Sequence, residues 1–276
     1  MHTDIADLRS FYRTTQGEVV RRRLSAEIKR FWSDLSGLDV LGVGYAAPYA
    51  RAFLDEAARV TLLMPATQGA VPWPPGRDNL ACLIEETTFP LRDQSVDRIL
   101  LVHAIEPSDA LRGLMDEVFR VLRPMGQVLA VVPNRGGLWA RGESTPFGTG
   151  RPFSRGQLAH LLEQSQFAIE GWSHTLFVPP LSGRFFLRTA DAWERAGSIL
   201  WPGFSGLLVM LATKQIYGLK AVRRPFRLLQ AIPELVPGTA AAPTPRAYRE
   251  FHSNGNSHSV MTGLEPVIQG QQASAR

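Results

Sequence analysis

Cysteine is almost missing from this 276-residue chain, Cys82 being the only one. A single thiol excludes a disulfide framework and any cysteine-built zinc site, and it agrees with a reducing compartment. The six histidines (His2, His103, His160, His174, His252 and His258) form no HxH or HExxH spacing, so no metal centre is expected. Neither a GxSxG elbow nor a GxxxxGK phosphate loop occurs, which removes the hydrolases and nucleotide enzymes built on them. The opening stretch MHTDIADLRSFYRTTQGE carries charges where a secretion signal needs an apolar core, so a cytoplasmic protein is expected. One uncharged run of 18 residues, AGSILWPGFSGLLVMLAT (196–213), is broken by Gly197, Pro202, Gly203 and Gly206. It reads as a loop leading into a buried strand, in preference to a membrane span.

What is present describes an ordinary globular chain, with 45% hydrophobic and 20% charged residues. The formal charge of +5 invites a nucleic-acid partner, but its location argues otherwise. Residues 214–276 hold eight basic and three acidic residues, so the whole excess lies there and residues 1–213 are neutral. No nucleic-acid partner is expected, because such a protein shows its basic face on the folded body. Peripheral contact with a membrane surface through the basic tail stays open, since basic and aromatic residues together suit that surface.

The hydrophobic pattern changes period along the chain. Residues 4–35 read as helix, with Val20, Leu24, Ile28, Phe31 and Leu35 on one face and Arg22, Arg23, Lys29 and Arg30 on a solvated one. Seven short apolar runs follow, at 40–43, 59–64, 79–84, 97–103, 126–133, 167–179 and 206–214. Helical segments are predicted between them at 49–58, 108–124 and 154–165, the second capped by Ser108 or Asp109 and stopped by RPMG. Apolar strands alternating with helices predict a doubly wound, mostly parallel sheet covered on both faces. The expected organisation is an N-terminal helical cap (1–36), a Rossmann-like α/β domain (37–219) with an insertion at 180–203, and a basic, largely disordered tail (220–276). Cys82, inside an apolar strand, is expected to be packed.

In such a sheet the ligand crevice lies at the carboxyl ends of the strands. The first turn, in LDVLGVGYAAPYARAF (38–53), offers Gly42, Gly44, Tyr45 and Ala46, whose small residues let backbone approach a ligand or simply pack a helix closely. The stretch TTFPLRDQSVDRILLVHAIEPSDALRGLMDEVFRVLRPMGQVLAVVPN (87–134) carries more information. Phe89-Pro90, Asp93, Ser95 and Val96-Asp97 follow the pattern LPF-x-D-x-SFD, RVLRPMG follows VLRPGG, and VVPN stands for a fifth strand. In this it resembles the class I S-adenosylmethionine-dependent methyltransferases, in their small-molecule branch, over about residues 37–178.

The resemblance implies a cofactor, S-adenosylmethionine, and roles for positions. Gly42 falls where the family has an acidic residue, Gly44, Ala46 and Pro48 where it has glycines, and Met64 where a carboxylate grips the ribose. Both of those carboxylates are missing. Glu85 falls where an acidic residue meets the adenine, and His103, Ala104 and Glu106 fall beside the sulfonium. Asp39 points to the opposite face from Gly42 and is no substitute, whereas Tyr45 and Gln68 are candidate replacements. Methyl transfer asks mainly for alignment, and for a base only when the acceptor must lose a proton. His103 and Glu106 are the candidates; the alternative is a strand-end histidine satisfied by backbone and a loop charge. The glycine- and aromatic-rich loop 134–154 is a lid or substrate wall on one reading and a surface loop on the other.

The implied function is methyl transfer to a small-molecule or lipid-like acceptor. The alternative is a catalytically degenerate relative that binds or regulates. A nicotinamide-dependent oxidoreductase lacks the full GxGxxG and its downstream acid.

Overall fold

The computed structural model describes residues 4–142, 145–180 and 204–215. The helix expected over 4–35 is broken in two, α1 (Ile5–Arg13) and α2 (Thr15–Phe31). Thr14 leaves helical geometry at φ −75°, ψ 160°; its Oγ1 donates to Phe11 O and accepts from Gly17 N. A Cβ on Gly17 would lie 2.1 Å from Phe11 O, so the two helices meet backbone to backbone where only glycine fits. The predicted apolar stripe is intact, with Val20, Leu24 and Ile28 buried and Arg22, Lys29 and Arg30 exposed.

Among the described residues seven strands follow: β1 (Asp39–Gly44), β2 (Arg59–Pro65), β3 (Ala81–Ile84), β4 (Val96–Val102), β5 (Leu122–Pro133), β6 (Phe167–Thr175) and β7 (Leu207–Lys214). They form one sheet in the order β3-β2-β1-β4-β5-β7-β6. Neighbours pair in parallel except β7, which runs antiparallel to both β5 and β6. The chain winds outward from β1 in both directions, so the switch point of the topology lies where β1 and β4 are side by side. Alternate residues feed two cores. Leu62, Met64, Leu100 and Leu129 pack under α1 and α2, whereas Leu41, Leu63, Leu101 and Ala130 face α4 (Leu111–Val121) and α5 (Arg155–Gln164). Each fully buried aliphatic side chain contributes about 1.5–3 kcal/mol relative to exposure.

Local departures from the sequence reading have identifiable causes. Instead of a helix over 49–58 there is one turn, α3 (Ala47–Ala50), running into a 3₁₀ turn (Arg51–Phe53). Glu56 accepts from Leu35 N, and Ala57 bridges Ser36, which pulls the chain out of helix. Neither Ser108 nor Asp109 caps α4; its N-cap is Ala110, and the Ser108 hydroxyl donates to Glu86 instead. α4 ends at Val121 and β5 begins directly at Leu122, earlier than the predicted Gly126, because Val96 pairs with Leu122. At α5 the sequence signal holds, since Ser154 and Gln157 form a capping box. Cys82 is exposed: β3 is an edge strand, and its Leu83 is also 53% exposed.

At the amino edge of the sheet the charges are spent on structure. Asp39 accepts from Arg59 and Arg123, and Asp97 accepts from Arg123 and from Asp39 N. Arg120 reaches Asp93 (2.6 Å), Glu117 and the carbonyls of Phe89 and Leu91. The arginine beside Asp39 and the one beside Glu117 hold both carboxyls below the ordinary range. Among the described residues no helix is long and apolar enough to cross a membrane. All of the predicted insertion (180–203) except Pro180, and the whole predicted tail (220–276), lie outside the described residues.

Candidate functional site

The turn after β1 is built around Gly44, which takes φ +80°. A Cβ there would lie 2.3 Å from Val102 O, and the following amide, Tyr45 N, donates to that same carbonyl at 2.8 Å. The turn is thereby fastened to the end of β4. Where the family resemblance sets a carboxylate, Gly42 is closed in: a Cβ would meet Leu62 Cδ2 at 2.5 Å and Ala46 Cβ at 2.7 Å. Met64, at the ribose position, is fully buried in the core under α1 and α2. Glu85 is exposed. Its neighbour Glu86 is buried instead, accepting from Ser108 Oγ at 2.5 Å and from Thr67 Oγ1 at 3.4 Å. It thus joins the loop after β2 to the loop after β4.

His103 and Glu106 are brought together, both buried, with Nδ1 and Oε1 3.0 Å apart. His103 takes φ +52°, and its carbonyl accepts from Gln68 Nε2. On the other side Nε2 lies 3.0 Å from the hydroxyl of Tyr12 in α1. Tyr49 donates to Tyr12 at 2.8 Å, which leaves the Tyr12 proton for Nε2 and the ring proton on Nδ1 for Glu106. The result is a buried chain, Tyr49 to Tyr12 to His103 to Glu106. Burial pushes the Tyr12 phenol well above its ordinary value, helped by Tyr49 and Glu106, and burial likewise raises Tyr49. Tyr45 is raised by burial too, although the charges of Arg9 and Arg13 pull it back. Glu106 Oε2 is buried with no hydrogen-bond partner among the described residues.

Aromatic rings wall this chain in. Tyr12 meets Phe11, Tyr45 and Tyr49 at centroid distances of 5.3, 5.6 and 5.9 Å, and Phe147 lies 4.7 Å over the His103 ring. Phe147 and Trp139, from the 134–154 loop, are both buried, and Trp139 Nε1 donates to Val178 O. Through these two rings that loop packs against the hydrogen-bonded chain. A second polar group lies at the ends of β5, β6 and β7, where Ser205 Oγ is 2.7 Å from His174 Nδ1 and accepts from Asn134 Nδ2. Ser205 is fully buried, and desolvation lowers His174, so this group is a neutral pin between β5, β6 and β7.

Residues 40–130 match a family model described as a methyltransferase domain. Strand order and the turn at Gly44 agree with it. The fold is that of the class I S-adenosylmethionine-dependent methyltransferases. Similar solved structures of this methyltransferase fold include the methyltransferase partner of the Trm112 activator from Haloferax volcanii, 14% identical, at a TM-score of 0.53 over 73% of this chain and 94% of that one. A methyltransferase from Archaeoglobus fulgidus is 16% identical, at 0.51 over 70% and 94%. One from Thermotoga maritima is also 16% identical, at 0.50 over 76% and 96%. No curated protein matches the sequence.

Within this methyltransferase fold the expected residues His103, Glu106, Gly44 and Tyr45 are brought together, and they are joined by Tyr12, Tyr49 and Glu86, which sequence reasoning did not single out. Tyr12 lies 91 residues from His103. Its only sequence signal is its place, with Ile5, Leu8 and Phe11, on the apolar side of α1.

Proposed function

We propose that the chain is an S-adenosylmethionine-dependent methyltransferase acting on a small-molecule or lipid-like acceptor. The observation that carries this reading is the buried His103–Glu106 pair at the end of β4, fastened beside the Gly44 turn. S-adenosylmethionine supplies an activated methyl group on a sulfonium centre. The lining fits that cationic end: Glu106 Oε2 is an unpartnered buried oxygen, and Tyr12, Tyr45 and Phe147 present aromatic faces nearby. Gly44, Tyr45 and Ala46 would hold the methionine portion and Glu85 or its buried neighbour Glu86 would meet the adenine, whereas the ribose positions are taken by Gly42, closed in by its neighbours, and by the core residue Met64. His103 would take a proton from the acceptor, with Glu106 orienting its ring. The aromatic wall from Phe147 and Trp139 would keep water out.

The ribose end is poorer. A carboxylate there makes charge-assisted hydrogen bonds of about 1.5–3 kcal/mol each, and neither Gly42 nor Met64 makes any. The packing of Leu62 and Ala46 on Gly42 favours a second reading, a degenerate methyltransferase-like protein that binds or regulates without turnover. Calorimetric titration with S-adenosylmethionine and S-adenosylhomocysteine separates the two. Weak but saturable binding is expected, and no heat at millimolar cofactor would overturn the enzyme reading in favour of the second.

A further inference from the structure

Resting on the methyltransferase reading, we propose that the acceptor is a hydroxyl compound, best a flat phenol, and that the Tyr12 phenol occupies its place on His103 until α1 gives way. The geometry is that of a base meeting an O–H. His103 Nε2 presents its lone pair to the Tyr12 hydroxyl at 3.0 Å, while Glu106 holds Nδ1 at 3.0 Å from behind. A carboxylate on the far nitrogen fixes the tautomer and stabilises the imidazolium that forms when Nε2 takes a proton. The slot itself is shaped for a ring, with Phe11, Tyr45 and Tyr49 packed around Tyr12 at 5.3–5.9 Å. Burial keeps the Tyr12 phenol neutral, so it donates a proton as an acceptor hydroxyl would.

The step that an acceptor would undergo in this slot balances without any other reagent. Its O–H bond breaks, an N–H bond forms at Nε2, and the electron pair stays on the oxygen, which becomes the nucleophile. The positive charge on the ring faces Glu106. Tyr12 must first leave, and α1 is suited to that. It has nine residues, too few for a stable helix on its own, and it joins α2 through the non-helical Thr14. Among the described residues, the bond from Ile5 N to Gln68 O, the two hydroxyl bonds of Tyr12 and side-chain packing tie it down.

The test uses the full chain without cofactor and 4-nitrophenol as probe, at a pH where the free probe is protonated and its visible phenolate band is absent. Wild type, Tyr12→Ala and Tyr12→Ala/His103→Gln are titrated. Tyr12→Ala is expected to bind the probe at least about tenfold more tightly than wild type, a difference of about 1.4 kcal/mol, and to develop the phenolate band. The double variant is expected to bind without the band. No binding to Tyr12→Ala, equal affinity in wild type, or a band that survives His103→Gln would each overturn the proposal. If circular dichroism shows Tyr12→Ala unfolded, Tyr12→Phe keeps the ring and frees Nε2. An affinity gain over wild type that disappears in Tyr12→Phe/His103→Gln supports the proposal, and no gain overturns it. A phenolate band in a protein without cofactor affinity would remove the methyltransferase reading and leave the hydroxyl site. Cofactor affinity without the band would do the reverse.

Discussion

Replacing Gly42 by alanine tests whether the cofactor turn has merely lost a carboxylate or has been repacked around its loss. The new Cβ would lie 2.5 Å from Leu62 Cδ2 and 2.7 Å from Ala46 Cβ. Both neighbours are fully buried, so neither can swing into solvent. Overpacking of this kind costs about 1–3 kcal/mol. For a domain of this size each kcal/mol lowers the melting temperature by about 2–4 °C, so a drop of about 4–8 °C is expected for the middle of that range. Leu62→Ala alone should cost about 2–5 kcal/mol through the cavity it leaves. In the double variant the Leu62 contact is gone and only the Ala46 contact remains, so the two costs should fall short of additivity by about 1–2 kcal/mol. Urea denaturation of the four proteins measures the cycle. A Gly42→Ala change within about 0.5 kcal/mol of wild type, or strict additivity, would refute the closed-turn reasoning. A surviving coupling has a practical consequence: Gly42→Asp cannot restore the family carboxylate unless Leu62 is made smaller as well.

Gly44→Ala combines a φ of +80° with a Cβ 2.3 Å from Val102 O, a backbone atom; a loss of at least about 3 kcal/mol is expected in thermal melts, and a near-neutral result would contradict the turn geometry. Glu117 is held below its ordinary value chiefly by the Arg120 guanidinium, so its stabilisation is present above the unfolded pKa and is lost as pH falls through the folded one. Glu117→Gln should therefore be less stable near neutrality, by about 1 kcal/mol, and show a shallower acid decline in urea titrations; identical slopes would exclude the assignment. Cys82 should react with iodoacetamide in the native state at a rate near that of an unfolded control, and protection from the reagent would restore the packed reading of β3.

The parts of this protein that were legible in its sequence are those governed by local rules. Apolar strands, the α5 capping box and the stripe of α2 follow from spacing and side-chain chemistry within a few residues. Thr14 was legible only in hindsight, because the break depends on Gly17 approaching Phe11 across two helices. Cys82 sits in a run as apolar as its neighbours, and only the strand order makes β3 an edge. In the site, His103 and Glu106 stood out because the fold fixes the end of β4. Tyr12 and Tyr49 did not, since no local pattern ties a tyrosine in the N-terminal cap to a histidine 91 residues away.

The same contrast separates scaffold from chemistry. The residues that carry the family resemblance most strongly, Asp93, Asp97, Arg120 and Arg123, are consumed in ion pairs at the amino edge, where they fasten the loop before β4 to α4 and β5. On the proposed function, substrate chemistry falls to the opposite, carboxyl edge, where the turn at Gly44, the β4 end and α1 converge. A sequence can therefore keep the whole amino-edge pattern, and with it the fold, while the carboxyl edge drifts under separate constraints. Gly42, Met64 and Tyr12 lie on that second edge, so the identity of the fold carries little information about turnover there. The Tyr12–His103 contact bears on it more directly, because there a phenol hydroxyl already lies against an imidazole nitrogen.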